Sequence, residues 1–82
     1  MIKLIVLTTN TILISQIEEV GSEIGEPDCK LIEPFILLDD GTLTPWLVDM
    51  TTQNTFMISS DKILTLADPK PTLLEKYQSL TK

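Results

Sequence analysis

The sequence has no histidine, no arginine and only one cysteine, Cys29, among its 82 residues. One cysteine cannot form an internal disulfide, and the lack of histidine excludes the usual Cys/His zinc sites and the Ser-His-Asp and Cys-His catalytic arrangements. The lack of arginine excludes bidentate guanidinium contacts to phosphate. We therefore expect a nonenzymatic protein with no metal and no cofactor.

Positive charge is also scarce, because six lysines stand against twelve acidic residues and give a net charge of −6. Nonspecific binding of nucleic acid depends on cations that neutralise phosphates, so we expect RNA binding to be weak. Three lysines are the candidates for such a contact: Lys3, Lys30 and Lys62. The acidic residues cluster within residues 18–28 and 39–40, which we interpret as solvated loops. A divalent-cation loop is the alternative, although the spacing of an EF-hand is absent.

Aliphatic residues dominate the apolar part of the chain, since Ile, Leu and Val supply 26 residues while aromatics make up only 5%. This composition is too apolar for a disordered chain. The longest strongly apolar run, around residues 4–7, is far shorter than the roughly 20 residues of a membrane span and too short for a secretory signal. With a single free cysteine, these features predict a cytoplasmic protein with no membrane partner.

The spacing of apolar and turn-forming residues predicts six short strands, over residues 1–8, 11–20, 29–38, 42–50, 55–59 and 62–67. Thr9 and Asn10 form the predicted turn of an opening hairpin, and residues 21–28 form a loop. Pro34 cannot donate a ladder hydrogen bond, so it predicts a sheet edge or a bulge. Trp46 is interpreted as a core or interface anchor, with a base-stacking role as the alternative.

After residue 68 the apolar spacing becomes helical. Thr72 is the predicted N-cap, and Glu75 completes a capping box. Four residues lie on one predicted stripe of this helix: Leu73, Leu74, Tyr77 and Leu80. The whole pattern predicts a mainly β protein, with five or six short strands in a small barrel or sandwich over residues 1–68 and a C-terminal extension with a short helix over residues 69–82.

Residues 56–66, Phe-Met-Ile-Ser-Ser-Asp-Lys-Ile-Leu-Thr-Leu, resemble the second motif of the Sm/LSm family, in which an apolar strand, a tight turn and a final apolar strand follow one another. Ile58 and Ile63 match the apolar positions of that motif, and the opening hairpin over residues 3–20 resembles the first two strands of the family. The matched parts cover about half of the chain. In particular, the sequence looks like the small Sm-like proteins associated with marine cyanophages, which carry a C-terminal extension and form rings.

This resemblance implies that residues 1–68 form a small Sm-like five-stranded bent antiparallel barrel. It also implies a homo-oligomeric ring of five to seven subunits, with five favoured, encoded by a phage and acting in the host cytoplasm as an assembly or interaction scaffold. It implies that subunits join through the two short strands of the motif, at Phe56, Met57, Ile58, Ile63, Leu64 and Leu66. The Arg-Gly pair of the family's RNA site is replaced by Ser59 and Ser60, and the Asp and Asn of its first motif have no counterpart. No RNA-site residue is therefore carried over. A ring that binds RNA through a diverged site is the alternative function.

Overall fold

A computed structural model describes residues 1–21, 23–47 and 50–81. The fold is mainly β, with a bent, open antiparallel sheet and one C-terminal helix. Six strands form the sheet: β1 (Ile2–Leu7), β2 (Ile12–Glu19), β3 (Cys29–Leu37), β4 (Leu43–Pro45), β5 (Thr55–Ile58) and β6 (Ile63–Ala67). A 3-10 turn, Ser60–Lys62, joins β5 to β6, and the helix α1 spans Pro71–Leu80.

The sheet follows the order β4-β3-β2-β1-β6, and β5 shares the outer side of β3 with β4. β5 pairs with the first half of β3, from Cys29 to Ile32, while β4 pairs with the last three residues of β3. The predicted mainly β class is thus confirmed. The predicted continuous strand over residues 42–50 is wrong, because strand structure ends at Pro45 and Leu47 takes a left-handed backbone with φ 61°. Val48 and Asp49 of that strand lie outside the described residues.

A bulge bends the sheet in the middle of β3. Ile14 pairs with Phe35 and Gln16 pairs with Ile32, so Glu33 and Pro34 together face one residue of β2. Glu33 adopts φ 53°, a left-handed conformation that side chains other than glycine rarely take. Extra residues of this kind increase the local bend of a strand. The bulge predicted at Pro34 is therefore confirmed.

Each face of the sheet buries its own apolar cluster. One face holds Ile5, Leu7, Leu13 and Leu31, with Ile17, Ile36, Trp46, Ile58 and Ile63 packed against them. The other face holds Ile14, Phe35, Leu43 and Tyr77, with Ile2, Leu4, Leu37 and Leu73. The second face is apolar because α1 lies over it, which explains why β1 and β2 carry aliphatic residues at both odd and even positions.

Tyr77 fastens α1 to the bulge. Its side chain is fully buried and its ring meets Phe35 edge to face, with centroids 5.6 Å apart. The phenol donates to the carbonyl of Glu33 at 2.8 Å, with the Ile32 carbonyl at 3.2 Å, and accepts from the Gln16 amide at 3.3 Å. The hydroxyl thus satisfies backbone groups that the bulge leaves outside the regular ladder.

The helix itself begins differently from the prediction. Pro71 is its first residue and Lys70 is the N-cap, with no side-chain cap hydrogen bond, so the predicted Thr72 N-cap is wrong. Proline suits this first position because its missing N–H would be unpaired there anyway. Of the predicted stripe, Leu73 and Tyr77 pack on the sheet, whereas Leu80 is 49% exposed.

Candidate functional site

β6 has β1 as its only partner strand within the described residues, which leaves its other side open. The amide of Leu7 donates to the Thr11 carbonyl, so the backbone N–H and C=O of Leu7 point to β2. The backbone groups of its neighbour Val6 therefore point to β6. Val6 pairs with Thr65, and backbone direction alternates along a strand. The amide and carbonyl of Thr65 therefore point to β1, and those of Leu66 point away from the sheet.

The opposite border of the sheet is formed in part by β5. The Glu33 amide donates to the Asn54 carbonyl at 2.7 Å, so the backbone groups of Asn54 and, by alternation, of Phe56 and Ile58 face β3. Those of Thr55 and Met57 point outward. We call the outer sides of β5 and β6 the open edges. They lie on opposite borders of the sheet, separated by β3, β2 and β1, and β4 forms the other part of the border beside β3.

The six residues predicted to join subunits divide into two groups. Phe56, Ile58 and Ile63 are partly buried: Ile58 and Ile63 pack against the first core cluster, and Phe56 meets Trp46 edge to face at 5.5 Å. Met57, Leu64 and Leu66 are exposed by 50%, 64% and 49%. Leu64 is the extra residue of a bulge in β6. The exposed three are the apolar side chains available at the open edges.

The three candidate lysines do not form a common patch within one chain. Lys3 lies on β1 and forms an ion pair with Asp68. Lys30 alternates with the buried Leu31 on β3, so it extends from the face opposite to the one that holds Ile5 and Lys3. Lys62 stands in the 3-10 turn between β5 and β6. The geometry of a single chain thus offers no concentrated positive surface from these residues.

The turn between the open edges is fixed by Asp28. One carboxylate oxygen accepts the Ser60 amide at 2.7 Å, and the other accepts the Ser60 hydroxyl at 2.6 Å. These hydrogen bonds stabilise the charged form and lower the pKa of the Asp28 carboxyl below its ordinary value. Asp28 therefore holds the direction in which β6 leaves the turn.

Sequence reasoning missed an aromatic groove at the bend of β3. The groove has a volume of about 510 Å³. Apolar side chains line one part of it: Pro34, Phe35, Pro45, Trp46, Phe56 and Leu80. Polar residues line the rest: Glu33, Thr51, Thr52, Gln53, Asn54 and Thr81. No sequence motif could reveal this site, because its residues come from four separate parts of the chain.

The described residues show neither a cluster of metal ligands nor a helix able to span a membrane. They contain no group of three or more potential ligands from His, Cys, Asp and Glu. Cys29 is buried, and burial raises the pKa of its thiol. Across residues 1–21, 23–47 and 50–81, no helix has the length and apolar character needed to cross a membrane.

Comparison with known proteins gives a family without an assigned activity. A search of the curated proteins finds no match. A family profile described as a family of unknown function, DUF6561, matches residues 1–82. Since the match spans the whole sequence, the chain belongs to the DUF6561 family.

Proposed function

We propose that this protein is a nonenzymatic scaffold that closes into a homo-oligomeric ring, in which β6 of one subunit pairs with β5 of the next. The observation that carries the proposal is the pair of open edges on opposite borders of the sheet. Strand edges of this kind offer unpaired donors and acceptors to another chain. The Sm-like resemblance of residues 56–66 supports the same two strands, favours a pentamer, and agrees with a phage-encoded protein of the host cytoplasm.

The two open edges are different surfaces, which decides the symmetry. A contact between β5 and β6 is head to tail, and repeated head-to-tail contacts produce a ring when the rotation closes. A two-fold dimer would instead pair like edges and leave the others open. The ring pairs the open edges of β5 and β6 in every subunit at once, which is the reason to prefer it.

Side chains add an apolar contribution to this backbone pairing. Met57 lies on the β5 edge, and Leu64 and Leu66 lie on β6, each about half exposed or more. Burial of apolar surface contributes about 25 cal/mol per Å². A chain of 82 residues buries a smaller fraction of its surface than a larger domain does, so subunit contact also supplements a small core.

The oligomeric mass in solution tests the proposal directly. Multi-angle light scattering and native mass spectrometry at micromolar concentration should give one closed assembly, five subunits being the expected number. A folded monomer of 9.2 kDa at that concentration would overturn the proposal.

Three substitutions at two neighbouring residues locate the interface. Leu66→Pro removes an amide that points away from β1, and proline is tolerated on edge strands, so this variant should remain folded but become monomeric. Leu66→Thr removes most of the apolar side chain but keeps the amide, and it should retain the assembly with weaker affinity. Thr65→Pro removes an amide that points to β1 and should destabilise the single subunit. Equal behaviour of Leu66→Pro and Thr65→Pro would contradict the assigned edge.

RNA binding is the alternative function of such a ring. Five chains of charge −6 give a ring of −30, which repels a polyanion unless lysines converge across subunits. Filter binding at two salt concentrations should show weak binding. Submicromolar RNA binding that falls steeply with salt and is lost in Lys62→Ala would replace the scaffold with an RNA-binding ring.

A further inference from the structure

The aromatic groove is a preformed cavity with fixed walls. The Trp46 amide donates to the Pro34 carbonyl at 2.9 Å and the Asn54 carbonyl accepts from Glu33, so both ends of residues 46–54 are tied to adjacent residues of the β3 bulge. Its volume of about 510 Å³ is within the range of ligand sites, roughly 300–1,000 Å³.

Backbone strain is concentrated around this groove. Three residues other than glycine have a left-handed backbone, namely Asn10, Glu33 and Leu47, among those that the structure describes. Asn10 occupies a hairpin turn, where asparagine tolerates this conformation. Glu33 lines the groove and Leu47 follows its wall residue Trp46. Strained backbone of this kind tends to occur at binding sites, where the surrounding structure maintains it.

The lining residues that the structure describes combine aromatic rings with one ionisable group, Glu33. Trp46 and Phe56 meet at 65° with centroids 5.5 Å apart, and Pro34 and Pro45 add apolar walls. Glu33 supplies a carboxylate, and none of the described lining residues carries positive charge. Aromatic faces attract cations, and a carboxylate accepts the paired N–H donors of a guanidinium.

We propose that this groove binds an arginine side chain of a partner protein. The proline and aromatic walls fit the aliphatic stem, the ring faces of Trp46 or Phe56 fit the guanidinium plane, and Glu33 is its counter-charge. The sequence contains no arginine, so the occupant is another protein and not a second copy of this chain. The groove shares Phe56 with β5, but the backbone groups of Phe56 face β3 and not the open edge, so the inference does not require the ring.

Charge also separates this occupant from a nucleotide. A base could stack on the same rings, but its phosphate would meet Glu33 and a chain of net charge −6. A cationic ligand is attracted both by the Glu33 carboxylate and by the net negative charge of the chain. The protein's acidity thus favours the arginine side chain over a phosphate-bearing ligand.

The test uses the full chain and a pair of small probes that differ in charge. N-acetyl-arginine methylamide and its neutral analogue N-acetyl-citrulline methylamide are titrated at constant ionic strength. Binding is followed by the fluorescence of Trp46, the only tryptophan, and by the 1H–15N resonances of the Trp46 indole and Asn54. The arginine probe should bind at least fivefold more tightly than the citrulline probe.

Two variants of equal net charge locate the counter-charge. Glu33→Gln should weaken the arginine probe at least fivefold, whereas Glu18→Gln, an exposed position on β2 outside the groove lining, should leave its affinity unchanged. The proposal is overturned if citrulline binds as well as arginine, if both variants weaken binding equally, or if no resonance of the groove responds. Stronger binding of uridine monophosphate than of the arginine probe would also overturn it and assign the groove to nucleotides.

Discussion

Replacing Tyr77 with phenylalanine tests whether its hydroxyl holds α1 on the sheet. The substitution keeps the buried ring and its edge contact with Phe35 while it removes one oxygen atom. The Glu33 carbonyl then loses a donor at 2.8 Å, and the Gln16 amide loses an acceptor at 3.3 Å. The Ile32 carbonyl keeps the Ser15 hydroxyl at 3.1 Å.

The expected cost follows from those lost partners. Leaving a buried polar group without a partner costs about 1–3 kcal/mol, and the Gln16 contact is long, so we expect a loss of about 2 kcal/mol in the free energy of unfolding. For a domain of this size, 1 kcal/mol shifts Tm by about 4–8 °C, which gives a decrease of about 8–16 °C. Tyr77→Ala also removes the ring and should cost about 3–5 kcal/mol.

Urea and thermal unfolding followed by far-UV circular dichroism measure both variants. The protein concentration must be identical for each, because assembly makes Tm depend on concentration. Leu80→Ala, at a half-exposed position near the end of the same helix, is the control and should shift stability much less. A change below about 0.5 kcal/mol in Tyr77→Phe would refute the hydroxyl's anchoring role.

Four further results are expected. Burial raises the pKa of the Tyr77 phenol above its ordinary value of 10, so the unfolded state ionises first and stability should fall as pH rises through 10; this dependence should be absent in Tyr77→Phe, and absorbance at 295 nm reports the only tyrosine. Glu33→Gly relieves a left-handed backbone and should raise the free energy of unfolding by about 0.5–1 kcal/mol, measured in urea. The pKa of Asp28 is lowered in the folded state, so its stabilising contribution is present above the unfolded value of 3.8 and is lost as pH falls through the folded value; Asp28→Ala should remove this dependence and speed hydrogen exchange at the Ser60 amide. Cys29 is buried with a raised thiol pKa, so its reaction with Ellman's reagent at neutral pH should be slow until urea unfolds the chain.

The local parts of the fold could be predicted because short-range physics determines them. The hairpin turn is confirmed at the predicted place, with Asn10 at φ 67°, but it has three residues and not two, because Leu7 pairs with Thr11 and Thr8 belongs to the turn. Runs of aliphatic residues bounded by turn-forming residues also located β1, β2 and β3, and Pro34 marked the bulge. In each case the signal lies within a few neighbouring residues.

The parts that failed depend on contacts between distant segments. Nothing in the sequence around Glu33 indicates a left-handed backbone, since glutamate has no preference for it. The spacing around Trp46 predicts a strand, but its amide donates to the Pro34 carbonyl and the strand ends at Pro45. The groove depends on both of these features, so it was not predictable from periodicity. The prediction of a lysine surface did not specify on which face of the sheet each lysine lies. The strand register places Lys3 and Lys30 on opposite faces.

The division of the outer side of β3 between β4 and β5 also has an evolutionary consequence. Residues 46–54 connect two strands that already hold their registers independently, and both ends of the connection are tied to neighbouring residues. Loop closure entropy grows only logarithmically, so each doubling of length costs about 0.6 kcal/mol. This connection can therefore lengthen among homologues between its groove residues Trp46 and Thr51 while the sheet stays intact.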